Sequence, residues 1–309
     1  MSYVLTPEQE ALLERVEELK RDKGVSQNKA GEIIGLTGSA LSQLKNGTYK
    51  SPEAGFRIIE NYFAVKDKAK LTYQEPEYVP TSISSEIYSV IRVCQIKGGL
   101  SVIVGDAGIG KTKAAQKFVS DNPTNSILIT VNPCLTGVKP LLECIADKIG
   151  AVPERSANKL WLSVVKKLSD GMVLIFDEAQ QLTIKEIETL RSISDYFTDK
   201  NQTLGICFIG NPETVVYMRK RKAEFAQIAN RTKQIKVYTR ADIKREDIIM
   251  LFPMLEENHM EKEITLMHGI TQTEQSIRGA VNAFSNACDN DNCTYNGLVA
   301  AAKYTGADI

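Results

Sequence analysis

The chain has 309 residues, 43% hydrophobic and 25% charged, the balance of a globular protein able to bury its own core. Its 38 basic and 38 acidic residues cancel, so net charge gives no argument for a polyanionic partner and any basic surface must be local. The polar amino terminus is unlike a signal peptide, no apolar run approaches a membrane span, and no Cys-x-x-Cys pair occurs, so we expect a soluble intracellular protein with reduced thiols and no membrane partner.

Thr6-Pro7-Glu8-Gln9 reads as a capping box with proline at the first helical position. Leu12, Val16 and Leu19 then mark one face of a helix ending before Gly24. A second helix is expected from Ser26 to Ile34 and a third from about Thr37 to Asn46. A fourth should run from Pro52 to about Ala64.

Val25-Ser-Gln-Asn-Lys-Ala30, Ile33-Ile-Gly35-Leu36 and the run from Gly38 to Gly47 resemble the Cro/repressor type of helix-turn-helix. Ala30 is small where two helices would cross, Gly35 turns the chain, and Ile33, Leu41 and Leu44 are assigned to the core. Thr37, Ser39, Ser42, Gln43 and Lys45 remain for the exposed side of the third helix, with Lys29 nearby. Such side chains suit base edges and phosphates of double-stranded DNA. Protein contacts are the alternative use of this motif. A single module neutralises few phosphates and would bind DNA weakly unless several copies act together.

Residues 1–70 form the expected amino-terminal domain. Residues 71–83 contain Pro76 and Pro80, lack periodicity and read as a linker. From 84 to 239, β-rich runs alternate with helical patterns: Leu100–Val104, Ser126–Val131, Met172–Phe176 and Leu204–Ile209, with a strand-like Gln234–Tyr238 closing the series. That alternation predicts an α/β fold with a parallel sheet flanked by helices. Residues 240–309 read as helical throughout.

Gly105-Asp106-Ala107-Gly108-Ile109-Gly110-Lys111-Thr112 fits the P-loop pattern without a mismatch, between an apolar strand and a helix start. The glycines let backbone N–H groups converge on phosphate oxygens, and Lys111 supplies charge to the β- and γ-phosphates of ATP. The Thr112 hydroxyl can ligate Mg²⁺. Asp177-Glu178 follows the apolar strand Met172–Phe176 at once. There Asp177 would hold the Mg²⁺ shell and Glu178 would polarise a water for hydrolysis. Asn211 ends the next strand, where its amide can orient that water, although Asn-Pro is also an ordinary turn.

With Asn211 in the place of a sensor 1 residue, these residues resemble the AAA+ ATPase family. That resemblance implies an arginine finger, for which Arg231 is positioned just ahead of the last strand. It also implies a sensor 2 arginine in a helical lid, for which Arg278 in Ser276-Ile-Arg278-Gly279 is the candidate. Either arginine has an ordinary surface role as its alternative. Arg219-Lys-Arg-Lys222 is a second candidate finger or a DNA-facing loop.

Together with the run Phe176-Asp-Glu-Ala-Gln180, the architecture resembles the phage Mu B family of transposition proteins. The resemblance implies DNA-stimulated ATPase activity, a homo-oligomer (helical filament or ring) on target DNA, stimulation of a cognate transposase, and the cytoplasm of a bacterial or phage-infected cell. It also implies a small carboxy-terminal helical domain. The alternatives are an ATP-regulated helix-turn-helix transcription factor, an AAA+ ATPase acting on protein partners, and a loader of a replicative helicase.

Overall fold

The computed structural model describes residues 3–71, 73, 75–135, 137–212 and 232–307. The chain divides into two compact units, Met1–Gln74 and Glu75–Ile309.

The first unit contains α1 (Pro7–Lys23), α2 (Gln27–Ile34), α3 (Gly38–Lys45) and α4 (Pro52–Leu71). Thr6 and Gln9 form the capping box that the sequence predicts, each side chain reaching the other's backbone N–H. Ser26 caps the start of α2 and Thr37 the start of α3, and α2 ends at Gly35 in the left-handed conformation. The core joins Val16, Ile34, Leu41, Leu44, Phe56, Ile59 and Phe63. Ile34 is buried here, whereas Ile33 is only half-buried. The correction follows from α2's register, which buries Ala30, Gly31 and Ile34 on one face. α4 runs well beyond Ala64, and in that extension Asp67 pairs with Arg15 at 2.6 Å while the Arg15 guanidinium lies over Phe63.

The second unit is built on β1 (Gly99–Gly105), β2 (Ser126–Thr130), β3 (Met172–Asp177), β4 (Leu204–Gly210) and β5 (Thr232–Tyr238). All pair in parallel, in the order β2-β3-β4-β1-β5. β3 and β4 are buried along their whole length, which explains their unbroken apolar sequences. Among the described residues, the α-helices of this α/β region are α5 (Ser82–Lys97), α6 (Lys111–Asp121), α7 (Val138–Ile149), α8 (Ala157–Lys167) and α9 (Ile184–Thr198). Beyond β5, all described elements are helical: a 3₁₀ turn at Arg240–Asp242, then α10 (Arg245–Leu251), α11 (Pro253–Glu257), α12 (Glu261–Thr271), α13 (Ser276–Asp289) and α14 (Tyr295–Tyr304). Among the described residues, no helix is long and apolar enough to cross a membrane.

Two of these helices, α5 and α8, are additions to the elements expected from sequence. α5 buries Ile83, Ile87, Val90, Ile91 and Cys94 on one face. It packs on the sheet so closely that a Cβ on Gly205 of β4 would stand 2.5 Å from the Cys94 carbonyl oxygen. Gly205→Ala must therefore push α5 away from the sheet. We expect a loss of about 1–3 kcal/mol, the usual range for overpacking, measurable as a fall in thermal unfolding midpoint with the secondary structure retained.

Candidate nucleotide site

Parallel strands bring their carboxyl ends to one edge of the sheet, and register puts Val104 beside Gly210 and Phe176 beside Phe208. The loop after β1, the Asp177-Glu178 pair at the end of β3 and Asn211 after β4 therefore meet at one place. β4 lies between β1 and β3, which sets Asn211 between the phosphate loop and the two carboxylates.

Residues 105–110 turn into α6 without a side-chain cap, leaving that helix's first N–H groups directed at the loop. Lys111 Nζ donates to the carbonyls of Gly105 and Asp106, each at 2.7 Å. The Thr112 hydroxyl donates to Asp177 Oδ2 at 2.6 Å, while Asp177 Oδ1 accepts the Glu178 amide at 3.0 Å. Burial raises the Asp177 pKa, and the hydrogen bonds from Thr112 and the Glu178 amide oppose that rise. Burial likewise lowers the pKa of Lys111, against the pull of Asp177, Glu178 and Asp106. Thr112 and Asp177 thus present two adjacent oxygen groups. Among the described residues no cluster of three metal-ligating side chains exists. The pair suits Mg²⁺, which takes few protein ligands and completes its shell with phosphate and water.

Glu178 is exposed and sits in the left-handed region at φ 57°. Its carboxylate accepts a hydrogen bond from Gln180 Nε2, and Gln180 Oε1 accepts the Asn211 amide at 3.4 Å. Gln180 therefore links the end of β3 to the end of β4. The sequence reading gave Gln180 no role of its own, because nothing in its spacing shows that it faces a residue 31 positions away.

A cavity of about 510 Å³ opens over the loop. That is within the usual range for small-molecule sites. Of the expected residues, Ala107, Gly108, Gly110, Lys111, Thr112, Glu178, Asn211 and Arg278 line it. Gly105, Asp106, Ile109 and Asp177 do not. The Ile109 side chain is fully buried, the Asp106 carboxylate turns to Arg240, and Asp177 is reached through Thr112. Gln116, one turn beyond Thr112 on α6, and Val281 and Asn282, one turn beyond Arg278 on α13, also line the cavity, as does Lys113. Helical spacing from Thr112 and Arg278 was the signal that could have found the first three, whereas Lys113, two residues from Lys111, has no such spacing.

Arg231 and Arg219-Lys-Arg-Lys222 lie outside the described residues. In the first unit, Ser39, Gln43 and Lys45 are exposed and Ser42 is half-exposed. Thr37 is exposed but its hydroxyl accepts the Ala40 amide as the cap of α3. Lys29 pairs with Glu32 at 2.8 Å and Lys45 with Glu17 at 3.4 Å. Exposed pairs of this kind exchange readily for other anions.

The parallel sheet, the phosphate loop and the carboxylate-tipped strand one place beyond its neighbour define a P-loop ATPase of the AAA type, and residues 95–217 match the AAA domain family. The chain is a homologue of the B transposition proteins of Mu-like phages. It is 24% identical over 286 residues to the Mu-like prophage FluMu DNA transposition protein B of Haemophilus influenzae, covering 90% of this chain and 96% of that one. It is 26% identical over 255 residues to the ATP-dependent target DNA activator B of Escherichia phage Mu, covering 79% and 77%. The fold is shared with the ORC2 protein of Aeropyrum pernix, whose structure in ADPNP-ADP complexes superimposes with a TM-score of 0.55 at 16% identity, covering 77% of this chain and 71% of that one.

The start of α13 meets the loop at Gly108. At φ +78°, a Cβ there would stand 2.7 Å from the Gln275 carbonyl oxygen and 3.3 Å from Arg278 Cβ. Gly108→Ala combines left-handed strain with displacement of α13. We expect clearly weaker nucleotide binding in a titration with a fluorescent ATP analogue; affinity equal to that of the unaltered protein would contradict this geometry.

Proposed function

We propose that this protein is an ATP-dependent DNA-binding protein of transposition, which oligomerises on target duplex and stimulates a cognate transposase. The observation that carries the reading is the meeting of Lys111, Thr112, Glu178 and Arg278 at one cavity, with Asp177 behind Thr112. The relatives support it, being named for DNA transposition and for ATP-dependent activation of target DNA. The helix pair α2–α3 supplies a surface suited to a major groove.

In this reading Ala107, Gly108 and Gly110 wrap the phosphates through their backbone, and Lys111 and Arg278 neutralise phosphate charge. Thr112 and Asp177 would hold Mg²⁺, which would supply positive charge against the phosphates. Glu178 takes the proton of the attacking water, and Asn211, steadied through Gln180, orients that water. Arg231 of a neighbouring copy is the proposed finger, and it makes hydrolysis depend on assembly. Residues 1–70 serve as the DNA-binding domain, 84–239 as the ATPase core and 240–309 as the lid and carboxy-terminal domain. Lys29, Thr37, Ser39, Ser42, Gln43 and Lys45 form the proposed DNA face. Each copy contributes few phosphate contacts, so tight binding depends on side-by-side assembly.

The test is the ATPase rate against protein concentration and against added duplex of unrelated sequences. The rate should rise with both, and footprinting should show coverage with little sequence preference. A rate indifferent to both would overturn the assembly reading, and protection of one operator alone would favour a transcription factor. Glu178→Gln should keep nucleotide affinity and lower kcat by about 100-fold or more, the scale on which a positioned base contributes. Retained hydrolysis would remove Glu178 from the mechanism.

A further inference from the structure

The phosphate loop is held from two sides by the chain that follows β5. On the first side, the Asp106 amide donates to the Tyr238 carbonyl at 3.3 Å. The Asp106 carboxylate accepts the Arg240 amide at 2.9 Å and lies 3.7 Å from the Arg240 Nε. Its carbonyl accepts from Lys111. The amide, the carbonyl and the Oδ2 of Asp106 are thus engaged within the protein, and its side chain does not line the cavity. On the second side, Gly108 abuts Gln275 and Arg278 at the start of α13.

Between these two contacts the chain turns sharply. The amide and hydroxyl of Thr239 both donate to the Asp242 carboxylate, at 2.7 and 3.0 Å, which closes the turn from β5 into the lid helices. Asp247 on α10 is fully buried and accepts the Ser82 amide at 2.6 Å, so α10 in turn is tied to the start of α5. A carboxylate inside a loop that must attract phosphates is electrostatically unfavourable, and the P-loop pattern leaves the identity of this residue open. Its contacts identify a different task.

We propose that Asp106 is a positioning residue: it fastens the turn at 239–242 to the phosphate loop and so sets where α13 delivers Arg278. The proposal rests on the nucleotide reading given above. It assigns to one loop residue the coupling between phosphate binding and lid position.

A double-mutant cycle in the full chain tests it, with affinity for a fluorescent ATP analogue as the readout and kcat/KM beside it. Asp106→Ala should weaken binding by roughly tenfold or more, the size expected for losing a hydrogen bond to a charged group. Asp106→Asn should recover part of this, because its side-chain carbonyl still accepts the Arg240 amide. Arg278→Ala should also weaken binding. Adding Asp106→Ala to Arg278→Ala should then cost no more than about a further twofold, the mark of residues acting through one contact. If the two losses simply multiply, or if either single variant binds like the unaltered protein, the proposal is overturned. Should Asp106→Ala fail to fold, the same cycle run with Asp106→Asn reads the coupling. Failure of the nucleotide reading itself shows differently, as no binding by the unaltered protein or undiminished binding by Lys111→Ala.

Discussion

The parallel pairing of β1 with β4, and of β4 with β3, is the constraint on which the site depends. Because those strands share direction and register, three loops separated widely in sequence emerge side by side. The short hydrogen bond from Thr112 to Asp177 then becomes possible across 65 residues. An antiparallel β4 would send Asn211 to the opposite edge, and a register slip of one residue would turn the β3 side chains to opposite faces. β3 and β4 are buried on both faces, so their apolar runs hold them in the middle of the sheet, and the register shown brings Asp177 and Asn211 to the same edge.

Much of this was legible in the residues. The apolar runs of β1, β3 and β4 are too short for helices and bounded by turn residues, and the loop glycines read directly as a phosphate cradle. The caps at Thr6, Ser26 and Thr37 were likewise readable, because a cap is a local interaction between neighbours in sequence. α5 was harder to see. It carries four serines and several β-branched residues, which disfavour helix, and it forms because the sheet buries its apolar face. The exchange of Ile33 for Ile34 in the first core shows the same limit, since one residue of register is invisible until the neighbouring helix is placed.

The part of the site that sequence could not supply is its wiring. Asp106 meets Arg240 across 134 residues, and Gln180 reaches Asn211 across 31. Such contacts depend on strand order, and strand order is not written in any local pattern. The residues that bear chemistry were readable because chemistry limits their type and spacing. The residues that hold them are limited only by what they touch.

The two bonds from Lys111 to the loop carbonyls bear on what binding costs at the site. A lysine side chain free in solvent loses considerable rotamer entropy when a ligand immobilises it. Here the loop has already ordered that stem, and the ammonium stands against the loop's own backbone. An arriving phosphate exchanges partners with an ammonium already in place, so little of its binding energy goes into ordering the lysine. The cost of ordering that side chain is met in folding, before any ligand arrives.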